Sequence, residues 1–402
     1  MIEKHISGNS KLPIVLILVS CYLPGFKGGG PIRSIANIVE QLGHEFDFRI
    51  ITSDRDLGDS TPYSGIVSDT WIQCGNASVY YISPDFKLSF RLVNVINSVD
   101  FDVLYLNSFF NFNFSIVPIF ARYLGFVKAI SVILAPRGEF SDDAFNIKRW
   151  KKSLYLILAK AINVFKGVVW HASTNYELDD ILKKIDGLRI DAKVAYVACD
   201  IPNRISDDNF YKNKFTFDIE CSQSVLNICF LSRISPMKNL DYAICVLKSV
   251  RVPVKFCIFG PKESNDYWSL CEDLLISLPN NISWFYGGEV KNSDVKDVIS
   301  QFDLFFVPSR GENFGHVFHE ALSAGVPLLI SDRTPWRGLQ DVGIGWDFSL
   351  NQPLKFSEAI EAYSQVSPSE RISKSRACIE YSIVKALDKD VLDMNRALFN
   401  FN

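Results

Sequence analysis

The sequence predicts an α/β protein built from two Rossmann-like, doubly wound domains, and three observations predict it. The 402 residues are too many for one ordinary core. Short apolar runs of buried-strand type, among them Phe46 to Thr52, Val103 to Leu106 and Val225 to Phe230, alternate with stretches whose apolar residues recur at helical spacing. That alternation is the signature of parallel sheets covered by helices. Finally, a polar stretch rich in Asp, Asn and Lys, 204–224, divides the chain near its middle and reads as a linker. We therefore expect a first domain over 1–203 and a second over 225–380.

Composition narrows the class further. With 48% hydrophobic and 22% charged residues the chain is globular, and a net charge of -3 gives no footing for nucleic acid. The 9 cysteines form no C-x-x-C pair and there are only 5 histidines, so we expect reduced thiols in a cytoplasmic protein, with neither a disulfide framework nor a zinc site. The apolar run from Leu12 to Tyr22 contains Pro13 and is short of a membrane span. A Gly-rich stretch and a helical pattern follow it, which marks it as a first buried strand rather than a leader.

That strand, Ile14 to Ser20, runs into a loop containing Gly28, Gly29 and Gly30, and Pro31 suits the first turn of a helix carrying Ile35, Ile38, Val39 and Leu42. Strand, glycine loop and helix form a phosphate-cradling shape, although such loops are also plain turns; Gly29 and Gly30 are the candidates. Phe46 to Thr52, Val79 to Ile82 and Val103 to Leu106 follow as buried strands. Asp54-Arg-Asp56 has the spacing of a metal-binding D-x-D, but no second acidic cluster supports it and it reads as a solvated loop. Ile130 to Leu134 then places Arg137 and Glu139 at the carboxyl end of a parallel strand, where α/β sheets bind ligands; a structural Arg–Glu ion pair is the alternative.

From Phe145 to Lys166 the chain has 6 basic residues and no acidic one. Trp150, Leu154, Tyr155, Leu158, Ala161 and Ile162 recur at helical spacing. A basic, aromatic-bearing helix fits an anionic membrane surface, with Lys148, Arg149, Trp150, Lys151 and Lys152 as the contact candidates. An ordinary packed helix needs the same stripe. Val168 to Trp170 is the next strand, and His171 behind it reads as structural.

The second domain opens with Val225 to Phe230, after which Arg233 and Lys238 precede a helix starting near Asn239. Two cations beside a helix N-terminus repel its dipole unless an anion lies between them. Strands Phe256 to Gly260 and Ile282 to Tyr286 follow, the second ending at Gly287-Gly288. Phe302 to Val307 is a buried strand that leaves Glu312 at its carboxyl end. A helix from about Phe314, carrying Val317, Phe318, Ala321 and Leu322, stops at Gly325 and Pro327. The N–H groups of Phe314, Gly315, His316 and Val317 then form an anion site at its start. Eight helical positions turn through about 800°, so Glu312 and Glu320 border one pocket only if the first lies on the loop. Two carboxylates beside an anion site suit hydroxyl donors such as those of sugars and ribose. Strand Leu328 to Asp332 and helices Phe356 to Val366 and Arg371 to Leu398 complete the chain.

Glu312-Asn-Phe-Gly-His-Val-Phe-His-Glu320, followed by Ala321-Leu-Ser-Ala-Gly-Val-Pro327, resembles the E-x7-E segment of retaining GT4 glycosyltransferases. Leu231-Ser-Arg-Ile-Ser-Pro-Met-Lys-Asn239 resembles their G-R-x-x-x-x-K-G segment, with Asn239 in place of the usual glycine. Pro136-Arg-Gly138 stands where many of that family have Pro-His-Gly, so a guanidinium suited to phosphate replaces an imidazole. Thr334-Pro-Trp-Arg-Gly-Leu and Gly343-Ile-Gly-Trp346 resemble relatives from bacterial surface-polysaccharide assembly.

The resemblance implies a GT-B fold, two domains facing across a cleft, with a nucleotide-sugar on the second and an acceptor on the first. It implies that a closing helix, 381–402, crosses back to the first domain. Arg233 and Lys238 are implied to hold the donor diphosphate, Glu312 to meet the donor sugar, and Glu320 the ribose. The strand ends at Gly260 and Gly288 are implied to form the base slot through backbone groups, and the loop of Gly29 and Gly30 to approach the diphosphate. The implied reaction is hexosyl or N-acetylhexosaminyl transfer with retention, without metal or other cofactor, by a front-side route in which the diphosphate helps deprotonate the acceptor. A UDP-sugar donor and a lipid-linked acceptor in O-antigen or capsule assembly follow, at the cytoplasmic face of the inner membrane. Two other readings share the architecture: a sugar-nucleotide epimerase, which needs paired acid–base residues that we do not find, and an idle nucleotide-binding partner subunit, which would be expected to lack Arg233, Lys238 or Glu312.

Overall fold

The computed structural model of the protein describes residues 11–129, 131–141, 145, 149–188, 194–203 and 225–400. The expected linker, 204–224, lies outside them. The chain divides into two compact units: Met1–Cys199 with Asp393–Asn402, and Asp200–Leu392.

In the first unit an eight-stranded sheet runs β3-β4-β2-β1-β5-β6-β7-β8. Its elements are β1 (Ile14–Leu18), α1 (Gly30–Leu42), β2 (Asp47–Ser53), β3 (Trp71–Cys74), β4 (Ala77–Ile82), α2 (Leu88–Asn97), β5 (Val103–Asn107), a π-helical turn (Phe112–Ile116), α3 (Val117–Tyr123), β6 (Ser131–Ala135), α4 (Arg149–Ala161), β7 (Val168–Ala172), α5 (Asn175–Leu188) and β8 (Val194–Val197). Every pairing is parallel except β3 with β4. β1 and β5 lie at the middle and are buried along their whole length, because helices cover both faces. The hairpin strand β3 was not expected: it is an edge strand in which no residue is buried, so it carries no buried apolar run.

The second unit holds a six-stranded parallel sheet ordered β11-β10-β9-β12-β13-β14. It contains β9 (Leu226–Leu231), α6 (Leu240–Leu247), β10 (Val254–Phe259), α7 (Asn265–Ile276), β11 (Ile282–Gly288), α8 (Val295–Ile299), β12 (Leu304–Val307), α9 (His316–Ser323), β13 (Leu328–Ser331), β14 (Gly345–Phe348), α10 (Pro353–Ser364) and α11 (Pro368–Ala386). Gly345 at φ 149° lets β14 close on β13, since a Cβ there would stand 2.1 Å from the Leu328 carbonyl oxygen. α9 packs on α11 through His319, whose Nε2–H donates to the Ser382 carbonyl at 3.0 Å.

The last helix, α12 (Lys389–Phe399), begins in the second unit and from Asp393 groups with the first. The division thus falls at 392/393 rather than at 380/381, because α11 stays with the second unit through its packing on α9. The earlier division falls at 199/200 rather than 203/204, because Asn203 bonds Glu320 within the second unit. Within the first unit Phe399 meets the rings of Phe46, Phe48 and Tyr105 at 5.5, 5.8 and 5.8 Å. The Arg396 guanidinium grips both carboxylate oxygens of Glu45 at 2.9 Å, and the Asn395 amide donates to the Cys199 carbonyl.

Two predictions follow from this packing. Phe399→Ala removes a buried ring and is expected to cost about 3–5 kcal/mol in urea unfolding; an unshifted midpoint would contradict the anchoring. Burial pushes the His319 imidazole down to about 4 from 6.5. The unfolded chain therefore binds the proton first, and stability complete above about pH 6.5 declines toward pH 4, by at most about 3 kcal/mol. His319→Gln, which keeps a donor for Ser382, is expected to abolish that share of the acid sensitivity. An identical pH profile in the variant would rule it out.

Candidate functional site

β9 and β12 are neighbours at the point where the second sheet reverses its strand order, the place where doubly wound sheets leave a crevice at their carboxyl ends. The loops leaving them, 232–239 and 308–315, carry Arg233, Lys238, Glu312, Phe314 and Gly315. Backbone and side chain join the two loops. The Arg310 N–H donates to the Met237 carbonyl at 2.8 Å, the Asn239 amide donates to the Pro308 carbonyl at 3.0 Å, and Arg310 Nε donates to Asn239 Oδ1 at 2.9 Å. Asn239 is buried and left-handed at φ 63°, ψ 42°, a conformation in which asparagine is the best tolerated residue after glycine. That explains how it stands where the resembling family has glycine, and it adds a clamp that glycine lacks.

The clamp sets Lys238 against Glu312. Lys238 Nζ bonds Glu312 Oε1, and both side chains are largely buried, at 14% and 12% exposure. Glu312 is held from behind by its own N–H, which donates to the Arg333 carbonyl at 3.2 Å. Arg233 lies nearer the surface and pairs with Glu263 at 3.3 Å. Each of the two cations expected beside the helix start thus has a carboxylate partner within the chain. Sequence reading missed Glu263 and did not pair Glu312 with Lys238, since neither pairing is local in sequence.

α9 starts at His316, two residues later than expected, because Gly315 is left-handed at φ 79°. A Cβ on Gly315 would also lie 2.5 Å from the Phe318 ring. The Phe314 carbonyl accepts from Trp336 Nε1 and its ring packs on that indole at 5.6 Å, so Trp336 fixes the turn ahead of the helix. His316 Nε2 lies 3.7 Å from Asp200 Oδ2, and Val317 packs at the core's margin. Glu320 is on the second turn of α9, and Asn203 donates to its Oε1 at 2.9 Å. Gly260, at φ 129°, lets the end of β10 approach β9: a Cβ there would fall 1.9 Å from the Ser232 carbonyl oxygen. Its N–H donates to the Gly288 carbonyl at 2.7 Å, and Gly288 turns at φ 80° in open space.

In the first unit the strand order reverses between β1 and β5, and a carboxylate pins each loop leaving that point. Asp56 accepts from the N–H groups of Phe26 and Lys27 at 2.7 and 3.1 Å, holding the loop ahead of Gly29 and Gly30. Gly29 caps α1 at φ 65°, and a Cβ on Gly30 would meet nothing. Asp54 and Asp56 are 1% and 5% exposed, so the D-x-D pair is neither a solvated loop nor a free ligand set. Glu139 accepts from Ser108 Oγ at 2.8 Å and from the N–H groups of Phe109 and Phe110 at 2.6 and 2.9 Å. Burial pushes its carboxyl up, while these donors oppose that shift. Its oxygens are engaged in holding a turn.

Arg137 does not pair with Glu139. Its guanidinium donates to Asn107 Oδ1, Ser173 Oγ and Tyr105 Oη at 2.6, 3.0 and 2.8 Å, tying the ends of β5, β6 and β7 together. Tyr105 Oη bonds His171 Nδ1, and His171 Nε2 donates to the Ala198 carbonyl, so His171 is a structural link. Of the membrane-surface candidates, Lys148 and the Arg149 side chain lie outside the described residues. Trp150 is 68% exposed, Lys151 is exposed, and Lys152 turns inward over the Phe110 ring at 4.7 Å.

Asn239→Gly preserves the left-handed backbone and deletes both side-chain bonds of the clamp. It is expected to lower stability by about 1–3 kcal/mol in urea unfolding, through the unmet groups on Pro308 and Arg310. An unchanged midpoint would show that the amide does not join the loops.

Residues 217–377 match the family model of glycosyl transferases group 1. An uncharacterized 41.2 kDa protein in the cps region of Klebsiella pneumoniae is 26% identical over 254 residues, 62% of this chain and 66% of that protein, so the chain spans just under two thirds of its relative's length. Among solved structures, Anabaena Alr3699/HepE in complex with UDP and glucose superposes with a TM-score of 0.65 at 14% identity, over 96% of this chain and 98% of that one. WaaG, a glycosyltransferase involved in lipopolysaccharide biosynthesis, gives a TM-score of 0.57 at 15% identity, over 96% and 98%. At such identities the likeness is one of fold. The chain thus has the GT-B fold, and the stretch of its second unit that matches is similar to glycosyl transferases group 1.

Proposed function

We propose that the protein is a retaining, metal-independent glycosyltransferase that moves a hexosyl or N-acetylhexosaminyl group from a UDP-sugar to a lipid-linked acceptor in bacterial surface-polysaccharide assembly. One observation carries the reading: the clamped loops at the second unit's strand-order reversal bring together a largely buried lysine and a glutamate on the loop that leads into α9. A diphosphate in that crevice would take Lys238 from Glu312 and release the carboxylate for the hydroxyls of the donor sugar. Arg233, near the surface, would move from Glu263 to the same phosphates. These cations and the N–H groups around Gly315 would stabilise the leaving diphosphate as its charge develops. Glu320, held by Asn203, is the proposed partner of the ribose. UDP as the nucleotide draws on the fold neighbour solved with UDP and glucose. The polysaccharide setting draws on the relative from a cps region and on the neighbour involved in lipopolysaccharide biosynthesis.

The test is melting temperature with UDP, GDP or ADP in the presence of EDTA, followed by sugar transfer to lipid-linked acceptors. One nucleotide should raise the melting temperature. Lys238→Ala and Glu320→Ala should lose that shift, and Lys238→Ala should cut turnover about a hundredfold or more. Activity should survive EDTA. No shift with any nucleotide would overturn the donor site, and activity restored only by a divalent cation would overturn metal independence.

A further inference from the structure

Helix α4 carries apolar residues on two opposite sides, and packing among the described residues accounts for only one. Leu156 and Ala159 are 3% and 0% exposed, and the Tyr155 ring lies among Phe109, Phe110 and Phe165. On the other side Trp150, Leu154, Ile157 and Leu158 fall within an arc of roughly 100°. They are 68, 50, 59 and 56% exposed. Scattered exposed leucines are ordinary, but four large apolar side chains in one stripe mark an interaction surface. Exposed Lys151 and Lys160 border the stripe on its two edges. The neighbouring α3, alongside through the Phe120–Tyr155 ring contact at 6.5 Å, ends in Tyr123 and Leu124, 48% and 61% exposed.

We propose that the outward face of α4 docks on an anionic lipid bilayer. Charge chooses this occupant: the whole chain is net negative at -3, yet no acidic residue occurs from Phe145 to Lys166. An apolar centre between lysine edges is the geometry of a helix lying in the interface, its apolar residues at the acyl boundary and its ammonium groups among phosphate headgroups. Thirteen residues with four basic side chains are too short and too charged to span. The proposal deepens the reading of a lipid-linked acceptor by naming the surface that brings the enzyme to it, and it is measured without donor or acceptor.

The experiment is co-sedimentation of the full chain with phosphatidylcholine vesicles containing or lacking phosphatidylglycerol, at low and high salt. Binding is expected only to the anionic vesicles and to weaken with salt. Leu154→Glu/Leu158→Glu should abolish it, and Lys151→Gln/Lys160→Gln should weaken it about thirtyfold. Leu354→Glu, at a 66% exposed leucine on α10, should leave it unchanged. All three change exposed side chains, and an unaltered melting temperature would verify their folding. Equal binding by the chain and its α4 variants, or no binding to either vesicle, would overturn the proposal. So would self-association that the Leu154→Glu/Leu158→Glu variant abolishes in the absence of vesicle binding, which would assign the face to a second copy. Because no nucleotide is present, failure here leaves the donor-site reading standing, and failure of that reading leaves this one standing.

Discussion

The amide of Asn239 is the joint on which the candidate site depends. Two loops leave adjacent parallel strands at the one place where the second sheet reverses its order, and nothing in strand pairing alone would hold them together. Asn239 reaches a carbonyl on the far loop with its donor and takes a guanidinium N–H with its acceptor, while the backbone of Arg310 closes the remaining gap to Met237. Buried at 2% exposure, the amide needs both partners. The consequence is a fixed meeting of Lys238 with Glu312, a cation and an anion shielded from most of the solvent. Such a pair is costly to desolvate and is a weak source of stability, so its position at a strand-order reversal points toward ligand exchange rather than folding.

The first unit uses carboxylates differently. Asp56 and Glu177 are buried and Glu139 is half-buried, and each accepts from two backbone N–H groups; Glu177 takes Gly138 and Ser173, on two different loops, at 2.6 and 2.8 Å. Desolvation raises the Glu139 and Glu177 carboxyls, and the converging donors offset it. These acids shape the loops around the reversal between β1 and β5 and present backbone, not carboxylate, to whatever binds there. Arg137, left-handed at φ 55°, belongs to the same scaffold, its guanidinium spread over the ends of three strands.

Much of the fold was legible because the central strands are buried on both faces and read as continuous apolar runs, as in Leu304–Val307. The half-exposed edge strand at Trp71 gave no such run. The Glu312 to Glu320 segment was legible because its spacing is local, while the partners that define its state are remote: Glu263 lies 30 residues from Arg233, and Asn203 lies 117 from Glu320. The start of α9 was misplaced because apolar periodicity begins at Phe314, whereas Gly315 sets the true boundary through its left-handed backbone. In α4 the periodicity was seen, but helical spacing cannot say that a second apolar stripe faces outward; only burial separates Leu156 from Ile157.

In the proposed reaction Lys238 exchanges an internal carboxylate for a donor phosphate. The most direct measurement is a crystal structure of the protein with UDP bound. The diphosphate is expected between Lys238, Arg233 and the N–H groups around Gly315, the ribose on Glu320, and Lys238 withdrawn from Glu312. A nucleotide bound elsewhere, or Lys238 still on Glu312 with the diphosphate in place, would contradict that exchange.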